Sequence, residues 1–386
     1  MGPPAMKITA IETFVLSNRR ALVKVSTDEG VSGWGEHTLE NWARTVTAAV
    51  ERMSEHLIGA DPLAITRLWQ NLARGGYYRG GPVLSSAVAG LDQALWDIKG
   101  RWLDVPVHEL LGGPTRDHAR AYAHANRDGR TGDPELAKRH LAAGLDLLKV
   151  APRGPVGFIE TPARVDEIVE QLGELRQAVG GHVDLCIDLH GRFSVPMARR
   201  ILPRLEPLGL AFAEEPLRPE HSDLIGDLVR CSPVPIATGE RLYQRTEFRR
   251  ILEAGVAVVQ PDVSHAGGIT EVFRIATQAE VYDAQVAPHC PLGPLALAAS
   301  LQIAFAVPNF YAQELSFDPH LGPSDDTRLM RDPSVLTPVE GRVRRLTGPG
   351  LGVEIDEDAV RAAVDTGPLG PGSPIWTHGD GSFAEW

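Results

Sequence analysis

Near residue 119 the pattern of apolar and polar positions changes rhythm. Before it, "ITAIETFVLS" and "ALVKVSTDEGVSGWGE" alternate apolar and polar residues as strands do, with a turn at Asp28-Glu29-Gly30. The stretches "ARTVTAAVERMSEHLI", "DPLAITRLWQNLAR" and "SSAVAGLDQALWDIKGRWL" follow, with helical spacing of their apolar residues. Strands followed by helices predict a small α+β unit over residues 1–118.

From residue 119 short apolar runs alternate with amphipathic helical patterns such as "TPARVDEIVEQLGELRQAV" and "TEFRRILEAG". The runs are "ARAYAH", "LLKVAP", "VDLCIDLHG", "LAFAEEP", "PVPIATGE", "AVVQPDVS", "QVAPH" and "FYAQELS". Eight buried strands separated by helices predict an α/β barrel of parallel strands over 119–316. A doubly wound open sheet is the alternative, but no phosphate-binding glycine turn follows the first run, and "GPGLG" lacks the strand-to-helix context. Residues 317–386 are rich in Pro, Gly and Asp, and "VEGRVRRLTGPGLGVEIDE" (339–357) predicts a hairpin. This last segment is expected to leave the barrel and pack back on the N-terminal unit.

Composition removes several classes of function. The net charge is −12 with no basic run, which argues against nucleic acid as a partner. The longest apolar stretch, Pro294 to Val307, is broken by Ser300 and Gln302 and is too short to span a membrane. "MGPPAMKITA" has neither the basic start nor the apolar run of a secretory signal, and Cys186, Cys231 and Cys290 are too scattered for a disulfide framework or a zinc site. A cytoplasmic protein is expected.

In "CIDLHGR", strand alternation would put Asp188 and His190 on one face, either as a salt bridge or as half of an active site. The other strand ends favour the second reading. The fourth run ends in Glu214-Glu215 and the fifth in Glu240; the sixth carries Asp262, the seventh His289 and the eighth Glu314. C-terminal strand ends are where such barrels hold their chemistry. Asp188, Glu214 and Glu240 recur one strand–helix unit apart, so they converge in space. Three adjacent carboxylates cannot all ionise without a cation among them, and an all-oxygen set suits Mg2+, or Mn2+, over zinc.

These residues, with "TDEGVSGWGE", "GLDQALWDIKG", "FAEEP", "ATGER", "QPDVSHAGGIT", "APHCPLGP" and "PGLGVEIDE", resemble the enolase superfamily and its mandelate racemase subgroup over essentially the whole chain. Within it the likeness is strongest to the D-galactonate dehydratases, through "YRGGP", "DQALWDIKG", "SHAGGITE" and "APHCPLGP". The resemblance implies an α+β capping domain over a modified (β/α)7β TIM-like barrel. It implies Mg2+ on Asp188, Glu214 and Glu240, a base dyad of His289 with Asp262, His190 as general acid, and Glu314 near the substrate carboxylate. Glu215 is then a supporting acid. The reaction implied is dehydration of a small-molecule sugar acid, and a homo-oligomer is expected. Racemases of the subgroup carry a second base two residues after the position of Lys149; here Ala151 stands there, which argues for one-sided elimination. A lactonising or epimerising member would keep the metal site and drop His190. The segments "HANRDGR" and "HTLENWAR" depart from the close relatives, at positions that would read the substrate's hydroxyls.

Overall fold

The computed structural model of the 386-residue chain describes residues 6–126, 130–315, 327–367 and 375–385. Strands β1 (Ile8–Val15), β2 (Ala21–Thr27) and β3 (Ser32–Glu36) form an antiparallel meander, with Gly30 supplying the positive φ of the β2–β3 turn. Helices α1 (Ala43–Ser54), α2 (Ile65–Arg74) and α3 (Gly81–Leu103) cover one face of it. The glycines of "SGWGE" have a steric reason: α3 crosses β3 so closely that a Cβ on Gly33 or Gly35 would strike the carbonyl oxygens of Ala94 and Gly90.

The second sheet is the parallel barrel. Strands β4 (His118–His124), β5 (Leu147–Val150), β6 (Asp184–Asp188), β7 (Phe212–Glu214), β8 (Ile236–Thr238), β9 (Val258–Val259) and β10 (Gln285–Val286) pair in chain order, and β11 (Gln313–Glu314) pairs with β4. Val286 N donates to Asn309 O at 2.8 Å and Tyr311 N donates to Val286 O at 2.8 Å, which closes the ring. Tyr122, Leu147, Cys186, Phe212, Ala237, Val258, Ala287 and Ala312 fill the interior, large rings beside small side chains. The apolar stretch from Pro294 forms a buried helix, Pro294–Ala306. Among the described residues no helix is long and apolar enough to cross a membrane.

The C-terminal segment differs from expectation. Residues 339–357 do not form one hairpin. Instead β12 (Arg342–Arg344) pairs antiparallel with the start of β4, and Ile355 bridges to Met330. The physical reason is the length of β4: residues 118–120 extend past its parallel partners and would leave an open edge, which β12 covers. The chain then runs against the first sheet, where Glu357 pairs with Lys24 at 2.6 Å and Arg361 with Glu12 at 2.8 Å. Residues 316–326, where the barrel is expected to end, lie outside the described residues, as do 127–129 of "HANRDGR".

Polar groups, well buried, fasten the α+β unit to the barrel beside β9. Trp69 Nε1 donates to Gly267 O at 2.7 Å, and Gln93 Nε2 reaches Ser264 Oγ at 3.2 Å. Asp92 accepts from Thr270 N at 2.9 Å and Thr270 Oγ1 at 2.6 Å, at the start of the helix Gly268–Val281. Glu36 accepts from Gly293 N and Ala296 N, capping the helix that follows the His289 loop.

Burial pushes the Asp92 carboxyl up to about 7, against the opposing pull of its bonds from Thr270. Its folded value thus lies above its unfolded one. The stability it contributes is complete in acid, below the ordinary carboxylate value, and is lost as pH rises through neutrality. Asp92→Asn should therefore gain in Tm relative to wild type as pH rises from about 5 to about 8. Thermal melts across that range check this, and a constant Tm difference would refute it.

Candidate active site

The barrel interior explains which side chains reach its mouth. Strand residues two apart share a face, so two positions beyond the interior layer the chain presents His124, Lys149, Asp188, Glu214, His289 and Glu314. On β8 the next position is Gly239, at φ +139, and the regular alternation ends there; Glu240 follows it. On β9 the layer is followed by Gln260 and then Asp262, both buried.

Asp188, Glu214 and Glu240 each place a carboxylate oxygen within 4.8 Å of the others. Asp188 and Glu214 are 1% and 0% exposed. Lys149, 1% exposed, sits beside them with Nζ 2.8 Å from Glu214 Oε1, 3.5 Å from Asp188 Oδ2 and 2.6 Å from Glu314 Oε1. One ammonium cannot balance this many acids. Burial and repulsion from Asp188 hold the Glu214 carboxyl well above the ordinary range, despite Lys149. Glu240 is raised too, by burial first. Glu214 Oε2 is buried with no hydrogen-bond partner. A hard, oxygen-rich, under-neutralised cluster with a free inward oxygen fits a divalent cation.

The two histidines stand on β-strands four places apart in an eight-strand ring, hence on opposite sides of the acids. His289 Nδ1 lies 2.8 Å from Asp262 Oδ2, and its Nε2 is 3.6 Å from Glu240 Oε2. Burial disfavours its protonation, but Glu240, the Asp262 bond and Glu314 outweigh burial and hold His289 well above the ordinary imidazole range. Asp262 keeps its second oxygen on Ser264 N at 2.7 Å, so its plane is fixed.

His190 is at the mouth, about one-third exposed, with Nε2 2.9 Å from Asp188 Oδ2. It arrives there by a different route from simple alternation. β6 ends at Asp188, and His190 and Gly191 follow at φ +53 and +59, a turn that Asp188 Oδ1 stabilises by accepting from His190 N at 2.8 Å. The Arg241 guanidinium packs on Gly191 where any Cβ would sit.

Glu215 does not join the acid cluster. At φ +42 its side chain turns outward to accept from Thr238 Oγ1 at 2.6 Å, Gly239 N at 2.9 Å and the Arg241 guanidinium. It holds the turn that presents Glu240. At Ala151 the backbone is pinned by the Asn126 amide, which donates to Ala151 O at 2.8 Å and accepts from Ala151 N at 3.0 Å. Sequence reasoning missed His124, whose Nε2 lies 2.8 Å from Glu314 Oε1 at the rim. The rule of two residues beyond the interior layer would have found it. Glu314 accepts from Lys149, His124 and Cys290 N; burial alone would raise its carboxyl, but Lys149, His124 and the nearby His289 hold it well below the usual carboxylate range.

Comparison with known proteins places this geometry. Residues 3–112 match the mandelate racemase/muconate lactonizing enzyme N-terminal domain, and residues 133–359 match the enolase C-terminal domain-like family. The chain is 46% identical over 384 residues to a D-galactonate dehydratase of Ralstonia pickettii, covering 99% of this chain and all of the relative. It is 45% identical over 385 residues to a D-galactonate dehydratase of Variovorax paradoxus, again across 99% and 100%. Among solved structures, a candidate galactarate dehydratase of the enolase type from Agrobacterium radiobacter, bound to Na and L-malate, matches with TM-score 0.89 and 32% identity over 98% of this chain and 99% of that one. Matched from end to end in sequence and fold, this chain belongs to the mandelate racemase/muconate lactonizing enzyme family of the enolase superfamily, and it is an enzyme of the hydro-lyase class.

Proposed function

We propose that the enzyme dehydrates a six-carbon aldonate, D-galactonate first, to its 2-keto-3-deoxy acid. The observation that carries the reading is the placement of a His–Asp pair and a second histidine on opposite sides of one acid cluster. The end-to-end similarity to D-galactonate dehydratases supports the substrate class. The same reading divides the chain into a cap (1–118), a catalytic barrel (119–316) and a returning segment (317–386). It also includes a homo-oligomer, supported by Tyr77 and Tyr78, which are 92% and 87% exposed side by side.

Asp188, Glu214 and Glu240 would hold Mg2+, or Mn2+. When bound, the cation would neutralise charge developing on the substrate carboxylate and offset the Glu240 charge that faces His289. His289 then accepts the C2 proton on Nε2, while Asp262 keeps Nδ1–H in place and stabilises the imidazolium that forms. His190, across the mouth, gives a proton to the C3 hydroxyl as the C3–O bond breaks, so that water leaves and the enol of the 2-keto acid remains. Lys149 and Glu314 hold the floor of the site and orient the carboxylate end of the substrate. The pinned backbone at Ala151 offers no second base, which favours elimination over racemisation.

Glu240→Gln should lose Mn2+ binding, followed by electron paramagnetic resonance, with far-ultraviolet circular dichroism unchanged. Wild-type affinity in that variant would end the metal assignment. The histidines separate by isotope exchange. His289→Asn should abolish both solvent deuterium exchange at C2 and dehydration, whereas His190→Asn should stop dehydration and retain exchange. Losses of about 10²–10⁴ are expected, as for general acids and bases elsewhere; a few-fold effect would refute both roles. For the substrate, purified protein with Mg2+ should release a 2-keto-3-deoxy acid from D-galactonate. Turnover of another sugar acid with D-galactonate inert would change the substrate and leave the mechanism standing.

A further inference from the structure

We propose that His265 is a positioning residue that couples the capping loop carrying Glu40 to the Asp262–His289 pair. His265 lies in "SHAGGIT", within the turn that follows Asp262, where its N donates to Asp262 O at 3.1 Å, and it is 5% exposed. It belongs to the barrel, yet two elements of the capping unit clasp its ring. On one side Nδ1 lies 3.0 Å from Ser86 Oγ, on α3. On the other, Nε2 lies 3.8 Å from Glu40 Oε2 and 3.8 Å from Asp262 Oδ2. With Ser86 Oγ paired to Nδ1, it is Nε2 that faces both carboxylates at once.

Asp262 Oδ2 is the oxygen that holds His289. It thus stands between two imidazoles, one on the reaction side and one on the cap side. Any shift of His265 changes both the electrostatic field at Oδ2 and the space in which the carboxylate can rotate. The Glu40 loop can deliver such a shift. Its stem is fixed, by Thr38 Oγ1 donating to Glu36 Oε1 at 2.9 Å and by His37 Nε2 on Thr47 Oγ1 at 2.9 Å. Its tip is exposed at Glu40, Asn41 and Trp42, with Asn41 at φ +66. A stiff stem and an exposed tip resting on a buried ring make a lever. A substrate touching the tip alters the Glu40–His265 contact, and His265 passes the change to the base pair.

The inference rests on the dehydratase reading only in taking His289 as the base. The experiment combines two measurements. One is the low-field Nδ1 proton of His289 in the 15N-histidine-labelled protein; the other is kcat and KM for C2 exchange with D-galactonate and Mg2+. In His265→Gln the His289 signal should move or broaden. kcat should fall about tenfold, the lower end of what outer-shell partners cost, with KM changing less. Glu40→Gln should move the same signal in the same direction. In the double variant the two costs should fail to add, as expected for residues that act through one contact. An unchanged His289 signal in both single variants, or simple additivity, would overturn the link. If His265→Gln fails to fold, Glu40→Gln on its exposed side chain carries the test, and its signal must still move. A wild-type protein inert toward every sugar acid would sink the dehydratase reading, while the His289 signal still decides the role of His265.

Discussion

Four carboxylates converging in one barrel mouth are the condition to which the rest of this structure answers. Asp188, Glu214, Glu240 and Glu314 stand on four strand ends of one ring, and Lys149 is the cation buried among them. In low dielectric an unbalanced carboxylate of this kind is expensive, and the cost falls on the least compensated member. The division is uneven. Glu314, with Lys149, His124 and a backbone N–H, keeps its charge easily, whereas Glu214 is pushed toward neutrality. The cluster is therefore stable enough to fold and still deficient in positive charge. That deficiency suits the cluster to a divalent cation.

The cap meets the barrel on the side where Asp262 and His289 stand, and the two contacts follow one logic. Glu36 caps the helix after the His289 loop, and Asp92 sits at the start of the helix after the Asp262 turn. Each carboxylate meets the positive end of a barrel helix dipole, so each is favoured there by the same field. Asp262 and His289 thus stand on loops whose helix ends the capping unit holds. This explains why α3 is buried along most of its length: it is packed between its own sheet and the loops and helices that follow Asp262 and His289.

Much of this was legible in the chain because barrel strands obey a strict rule. The eight runs appear where periodicity puts them, and on six of them the residue two beyond the interior layer is titratable, whereas Glu240 and Asp262 lie past that position. Legibility ended where local backbone departs from that rule. His190 shares a side with Asp188 through a left-handed turn and not through alternation. Glu215 is indistinguishable from Glu214 as a residue type, and its outward direction is set by φ +42 and by Arg241, 26 positions away. The hairpin at 339–357 failed because strand pairing is decided by which edge is open, and that edge belongs to β4, more than 200 residues earlier. His265 looks like one more polar residue in a loop until Ser86 and Glu40 are brought to it by the fold.

On the proposed reading, Ala151 gives the site its direction. A base on each side of C2 would allow the proton to return to either face. Here the side of β5 offers Lys149, which is already committed to three carboxylates, and then a methyl group whose backbone Asn126 locks. A Lys149 proton shared among Asp188, Glu214 and Glu314 is held well above the ordinary range for an ammonium even though burial opposes it, so this residue makes a poor base. Proton removal is then confined to His289, and a substrate that has lost its C2 proton finds its nearest acid in His190, across the mouth at C3. With abstraction on one side and donation on the other, loss of the hydroxyl outcompetes return of the proton, and the choice between elimination and racemisation follows from which strand ends carry titratable groups.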